Sequence, residues 1–438
     1  MEKAVFKDFA KYVSFNIFGM IGLSCYILAD TFFVAKALGA TGITALNFAI
    51  SIYSVIHGIG LMIGIGGATR YRILRIQNED SKVNIIFTTC IKLGVFIGVI
   101  FVTMGIFGSK ALAMILGADP STLPFTNTYL KTILCFAPFY ITNNIILAFV
   151  RNDDNPKLSM IAMLTGSFSN IVLDYIFMFP LGMGMFGAAF ATGLAPVVSV
   201  GILSIHFFKR KNNIRWIRIR VIWSCVCNIF SLGLSAFITE VSSAIVLITF
   251  NLAILRLEGN LGVASYGIIA NIALVGVSVF TGIAQGIQPV VSKGYGMQDY
   301  EVIRKVLRLA LFTSLAIASI IYFSMFFNTD RIISFFNSEH NLNITRIAKT
   351  GLRIYFIGFF FAGINIIIAA FLSATERATD AFFISVARGC IIIVPLVLLL
   401  GRIWKMTGIW LAFVISECMI TMIIIFMACF HMKRDKER

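Results

Sequence analysis

Residues Lys157–Phe179 read KLSMIAMLTGSFSNIVLDYIFMF, and the reading of this stretch decides the fold. At about 1.5 Å per residue it is long enough to cross a ~30 Å hydrocarbon core. Near its far end it carries Asn170 and Asp174, four residues apart and so on one helical face, a turn from each other. A carboxylate facing lipid costs about 2.5 kcal/mol or more, so Asp174 has to face protein or a wet cavity. An ionisable group in that position is a candidate for function, with a hydrogen bond to a neighbouring helix as the plainer use.

Working outward, the same apolar pattern fills the chain. The 438 residues are 59% hydrophobic and 13% charged, with mean hydropathy +0.92, a composition outside the range of soluble domains. Twelve spans follow, at about 13–36, 43–69, 84–107, 124–149, 157–179, 185–208, 224–255, 262–292, 306–327, 351–373, 380–400 and 408–430. The first is interrupted by Asp30 and lacks a small-x-small cleavage site, so it reads as a retained span rather than a signal. The net charge of +16 is carried by short loops, which makes it a topology signal and argues against nucleic acid as a partner. Sorting the basic residues by loop puts 24 on the side holding both termini and 10 on the other. By the positive-inside rule both termini are cytoplasmic, in a bacterial plasma membrane.

The halves repeat. A shift of 222 residues lays Gly60 on Gly282, Gly64 on Gly286 and Asn143 on Asn365. One constant shift that superposes span two on eight and span four on ten implies two six-helix lobes of the same orientation. Their pseudo-two-fold axis then runs along the membrane normal, with a cavity between them. The division is an N-lobe at 1–208, a basic connector at 209–223 and a C-lobe at 224–438. The connector, Lys209 to Arg220, reads as lying on the surface with its basic side toward anionic headgroups of membrane lipids.

Depth brings the polar residues together. Asp30 and Asp174 each lie 17 residues from the terminal-side start of their spans, about 25 Å up. Thr192 falls at a similar level and Asn170 one turn deeper. Two carboxylates at close quarters cannot both ionise cheaply, so either one keeps a proton or a cation sits between them. In the helix that carries Asp30, Gly19 and Gly22 suggest packing loose enough to bend.

Through these residues the chain resembles the multidrug and toxic compound extrusion (MATE) family along its whole length. The resemblance is carried by Ala29-Asp30-Thr31, the glycine-rich Gly58–Gly67, and Asn170-x-x-x-Asp174 followed by Gly187-Ala188-Ala189-Phe190-Ala191-Thr192. It implies an all-helical, twelve-span, two-lobed exporter coupled to H⁺ or Na⁺. In the DinF-like branch the matching residues form an N-lobe cation site, a role that the resemblance gives to Asp30, Asn170, Asp174 and Thr192. Glu240 looks like the span-seven acid of the NorM-like branch, but that branch's span-ten acid has no counterpart between Arg353 and Ser373. Glu240 and His57 are therefore candidates for substrate contact, and so is Asn251, near the repeat equivalent of Asp30; packing or hydrogen bonding is the plainer use of each.

Other polar groups have simpler uses. Arg388 is expected to have a structural use, snorkelling inward or pairing with Glu417. Asp153-Asp154-Asn155-Pro156 resembles a piece of a metal-diphosphate motif but sits where a helix cap belongs. The eight cysteines read as small buried hydrophobes. No P-loop occurs, so ATP does not drive the protein directly. The sequence points to an antiporter of amphipathic, cationic organic molecules, acting as a monomer without a cofactor beyond the coupling ion. A flippase for a lipid-linked precursor is the alternative, and a membrane-embedded enzyme a remote one.

Overall fold

The computed structural model describes residues 2–208, 212–218, 222–336 and 342–436. Among them, nine helices are long and apolar enough to cross a membrane, and a bent pair makes one more crossing. Two of the nine are double-length and break in the middle, which brings the crossings to twelve in two lobes of six. The first lobe holds α1 (Lys3–Gly39), α2 (Thr41–Ile76), α3 (Lys82–Ile115), the bent α4 (Leu123–Cys135 with Ala137–Asn152), α5 (Pro156–Met178) and α6 (Gly184–Phe208). The second holds α7 and α8 (Trp223–Gly296, divided at 259), α9 (Tyr300–Phe327), α10 (Leu342–Ala374), and α11 and α12 (Ala378–Cys429, divided at 404).

The corners explain the repeat. Gly39 and Gly259 hold φ of 62° and 61° with ψ of −152°, a conformation that a Cβ forbids. A Cβ at either position would meet nothing within 4 Å, so glycine is required by the backbone and not by space. Positive φ also recurs at Asn78 and Gln298, and at Asp154 and Glu376, offsets of 220 and 222 residues. The same turns thus close the same helix pairs in both lobes. The α4 bend of 49° falls at Phe136, where Pro138 supplies no N–H to carry the helix through.

We call the face holding both termini the terminal face. Each lobe has its own apolar core: one joins Val34, Ile63, Phe149 and Ala188, the other Phe250, Phe280, Phe356 and Trp410. Phe9, Tyr12 and Val13 of α1 belong to the second lobe's core, so α1 ties the lobes together. Large apolar side chains such as Phe96, Phe107, Phe312 and Phe426 lie exposed on the outside, where lipid rather than water is the solvent.

Two expectations need correction here. Gly19 and Gly22 are not loosely packed: a Cβ would lie 2.9 Å from Met163 Sδ and 2.6 Å from Leu164 Cδ2, so they let α1 press against α5. In the connector Ile214 is buried and the backbone N–H of Arg215 donates to Asn84 Oδ1 at 2.7 Å, while the side chains of Arg215 and Arg218 are exposed. Its basic residues Lys209, Arg210, Lys211 and Arg220 lie outside the described residues. Asn155 does cap α5, accepting from the Leu158 N–H, but Asp153 and Asp154 do more than cap.

Those two acids tie the terminal face of the first lobe. Asp153 accepts from Arg75 at 2.6 Å, from Tyr71 and His206 at 2.8 Å, and from Asn213 at 3.1 Å. Asp154 accepts from Arg72 at 2.7 Å and from Tyr12 at 2.9 Å. Burial pushes both carboxyls up, but these donors and charges outweigh it and hold both below the ordinary carboxylate range, Asp154 at about 2. A depressed pKa stabilises the fold above the unfolded value near 4, and that stability is lost as pH falls toward 2. Asp153→Asn should therefore cost on the order of 3 kcal/mol at pH 7. Thermal unfolding in detergent should show the loss, together with a flatter pH dependence between 4 and 2 than the wild type.

Candidate functional site

Three helices place the four residues of the acidic site. Asp30 lies nine residues before the Gly39 corner on α1, Asn170 and Asp174 stand on one face of α5, and Thr192 follows the Gly187–Ala189 run of α6. The small residues of that run, Ala188 and Ala189 both fully buried, let α6 approach closely. All four side chains are buried, Asn170 and Asp174 completely.

The contacts form one network. With its amide nitrogen turned toward the carboxylate, Asn170 donates to Asp174 Oδ2 at 3.1 Å and accepts from the Thr192 N–H at 3.2 Å. Thr192 Oγ1 donates to the Ala188 carbonyl at 2.9 Å, and Tyr140 donates to the Thr192 carbonyl at 2.7 Å. The Tyr129 hydroxyl faces both Asp30 and Thr192, and the two acids are near enough to feel each other's charge. One oxygen of each, Asp30 Oδ1 and Asp174 Oδ1, has no partner. Two buried carboxylates with an open oxygen apiece suit a proton or a small cation, because either would remove an uncompensated charge.

The second lobe offers the contrast. Glu417 is equally buried, yet Arg388 Nε donates to its Oε1 at 2.8 Å and Asn365 Nδ2 to its Oε2 at 2.7 Å. Thr421 completes the set by donating to Asn365 Oδ1 at 2.9 Å. A single π-helical turn, Ala387–Ile391, interrupts α11 at the arginine. Glu417 is fully partnered, which marks it as structural where Asp30 and Asp174 are open.

Beside the acidic site lies a cavity of ≈ 200 Å³ between the lobes. His57 and Glu240 line it, with Tyr26, Tyr53 and Tyr140 on one wall and Asn143, Asn144 and Arg151 below. Asn251, the third residue expected there, is not among its lining. His57 Nε2 has no partner, and its ring meets Tyr53 edge-on at 5.7 Å. Tyr26 and Tyr53 share a hydrogen bond of 2.9 Å, so hydroxyls run from the cavity wall toward Asp30, one helical turn beyond Tyr26.

Sequence reasoning missed the tyrosines and Arg151. The spacing of Tyr26 and Asp30 could have flagged the first; Tyr129 and Tyr140 give no local signal, and Arg151 reads as a loop charge beside a turn.

The closest approaches between the lobes lie in the half of the molecule toward the terminal face. A Cβ on Gly233 would fall 1.8 Å from the Met62 carbonyl oxygen, and one on Gly66 would fall 2.0 Å from that of Ile229. Gln288 donates to Thr69 Oγ1 at 2.7 Å, and Arg70 pairs with Glu376 at 2.5 Å. Ser24 donates to Ser278 at 2.5 Å.

A two-lobed helical membrane protein with a cavity between its lobes and open buried acids beside it has the architecture of a secondary transporter. The MatE family model matches residues 16–176 and 235–399, and the chain belongs to that family. The multidrug export protein MepA of Staphylococcus saprophyticus is 27% identical over 424 residues, covering 95% of this chain and 92% of that protein. A solved structure, described as the outward-facing conformation of a multidrug-resistance MATE transporter, superposes with a TM-score of 0.92. It is 19% identical and covers 99% of this chain and 97% of its own. A Pyrococcus furiosus transporter of the same superfamily, described as having a binding pocket of reversed polarity, gives 0.88 at 20% identity, covering 95% of this chain and 93% of its own. The protein is a membrane transporter and not an enzyme.

Proposed function

We propose that the protein is an antiporter that exports amphipathic organic compounds, organic cations among them, in exchange for H⁺ or Na⁺ bound at Asp30, Asn170, Asp174 and Thr192. The observation that carries this reading is the pair of unpartnered carboxylate oxygens beside a cavity lined with aromatic rings and one acid. The likeness to MepA, a multidrug export protein, supports the same substrate class. The excess of basic residues supports a cytoplasmic terminal face, and the close contacts between the lobes in that half support an outward-facing conformation. The lobes divide at 208 and 224, and one chain suffices, since both the acids and the cavity are built within it. Arg151 is the lone arginine or lysine lining the cavity among the described residues, which favours drug-like guests over a pyrophosphate-linked lipid. In alternating access the ion and the guest must prefer different states, because a ligand that binds both equally shifts nothing.

The test is efflux of a fluorescent lipophilic cation from proteoliposomes, driven by a pH gradient alone and then by a sodium gradient alone. One of the two should raise the rate at least ten-fold over no gradient. Equal rates in all three conditions would refute coupling.

A further inference from the structure

Arg151 stands on the last turn of α4 and is 2% exposed, yet no carboxylate lies within ion-pairing distance of it among the described residues. Its Nη1 donates to two neutral oxygens, Asn16 Oδ1 of α1 at 2.6 Å and Gln285 Oε1 of α8 at 2.7 Å. Its Nε is buried without any partner. A guanidinium is charged at every accessible pH, and burying it without a counter-ion is expensive. The side chain nevertheless lines the cavity, where water or a guest can reach it.

The charged groups of the cavity are spread along its length. Arg72 donates to the Asn152 carbonyl at 2.8 Å, which sets the end of α4 level with Arg72 of α2. A Cβ on Gly58 would lie 3.4 Å from Glu240 Cβ, which sets the acid level with Gly58. Fourteen residues of α2 separate the two levels, about 20 Å along the helix. Glu240 therefore cannot neutralise Arg151. Around the arginine, Asn144, Gln285 and Thr281 add neutral hydrogen-bonding groups.

We infer that Arg151 is an anion subsite at the cavity floor, selecting guests that carry a carboxylate or a similarly small anionic group on an amphipathic frame, zwitterions included. The guest supplies the missing counter-charge through a charge-assisted hydrogen bond to the guanidinium. Because Arg151 also bridges α1 and α8, such a guest binds where the lobes meet. The inference rests on the cavity being the guest chamber of an exporter.

Rhodamine 110 and its methyl ester, rhodamine 123, differ only in that carboxylate. Their Kd values are measured by fluorescence on the purified full-length protein at pH 7.5, in gluconate and again in chloride. The wild type should prefer the acid over the ester by about ten-fold. The ratio should fall to near one in Arg151→Gln and be kept in part by Arg151→Lys. Reading a ratio cancels any shift between conformations that moves both probes together. A wild-type ratio near one, or the same ratio in Arg151→Gln, overturns the inference while leaving the export reading intact; if the glutamine variant does not fold, a full wild-type ratio in Arg151→Lys overturns it instead. A preference present in gluconate and absent in chloride assigns the subsite to an inorganic anion and likewise overturns it. Wild-type protein that binds neither rhodamine overturns the export reading along with the inference.

Discussion

Asp30→Asn and Asp174→Asn should each lower gradient-driven efflux at least 100-fold, while both variants insert and elute as folded monodisperse protein. Asparagine keeps the shape of each site, so the packing of α1 against α5 survives. It neither takes up a proton nor carries a charge to hold a cation, so the site can no longer exchange its ion. The two acids pull on one ligand, and the loss of either should cost nearly the whole effect rather than half of it. Folding should not suffer, because each native carboxylate already has one oxygen without a partner and is itself a buried liability. Efflux near the wild-type rate in either variant would remove that acid from the coupling site.

Gly233→Ala should lower transport at least ten-fold by a different route. The added methyl would sit 1.8 Å from the Met62 carbonyl oxygen and 2.6 Å from its carbon, both backbone atoms that no rotamer change can move aside. Since Gly66 meets Ile229 equally closely in the reverse direction, α2 and α7 cross backbone to backbone. A wedge at that crossing parts the lobes in the half where they meet backbone to backbone, and the contacts between Thr69 and Gln288 and between Arg70 and Glu376 go with it. Spin labels at the exposed Gln77 and Met297 should then report a longer distance across the terminal face than in the wild type. An unchanged distance with normal efflux would mean that the crossing yields elsewhere.

The spans were legible because apolar length reports the thickness of the bilayer, whatever a helix packs against. The repeat was legible too. The 222-residue shift that aligned Gly60 with Gly282 and Asn143 with Asn365 reappears in the backbone as paired turns at Asp154 and Glu376, and within two residues as paired corners at Gly39 and Gly259. Helical rise alone put Asp30, Asp174 and Thr192 at one level. What hydropathy does not encode is which way a helix face turns and how far a side chain reaches. Arg151 therefore read as a loop charge although it points into the cavity, and Asp153 and Asp154 read as a cap although Arg72, Arg75 and His206 converge on them. Gly19 and Gly22 misled for a related reason. A glycine in a span marks either looseness or close approach, and only the neighbouring Met163 and Leu164 decide for the second. Arg388 pairs with Glu417, one of its two expected uses, because two opposite charges within spans have few alternatives.

Coupling requires that ion and guest bind reciprocally, each weakening the other by the same factor. The direct measurement is the affinity of the detergent-solubilised protein for a rhodamine cation as a function of pH, with and without sodium, in the wild type and in Asp174→Asn. Wild-type affinity should fall at least five-fold as pH is lowered or sodium is added, and Asp174→Asn should bind with one affinity throughout. Wild-type affinity that changes with neither pH nor sodium would contradict coupling and leave Asp30 and Asp174 as structural residues.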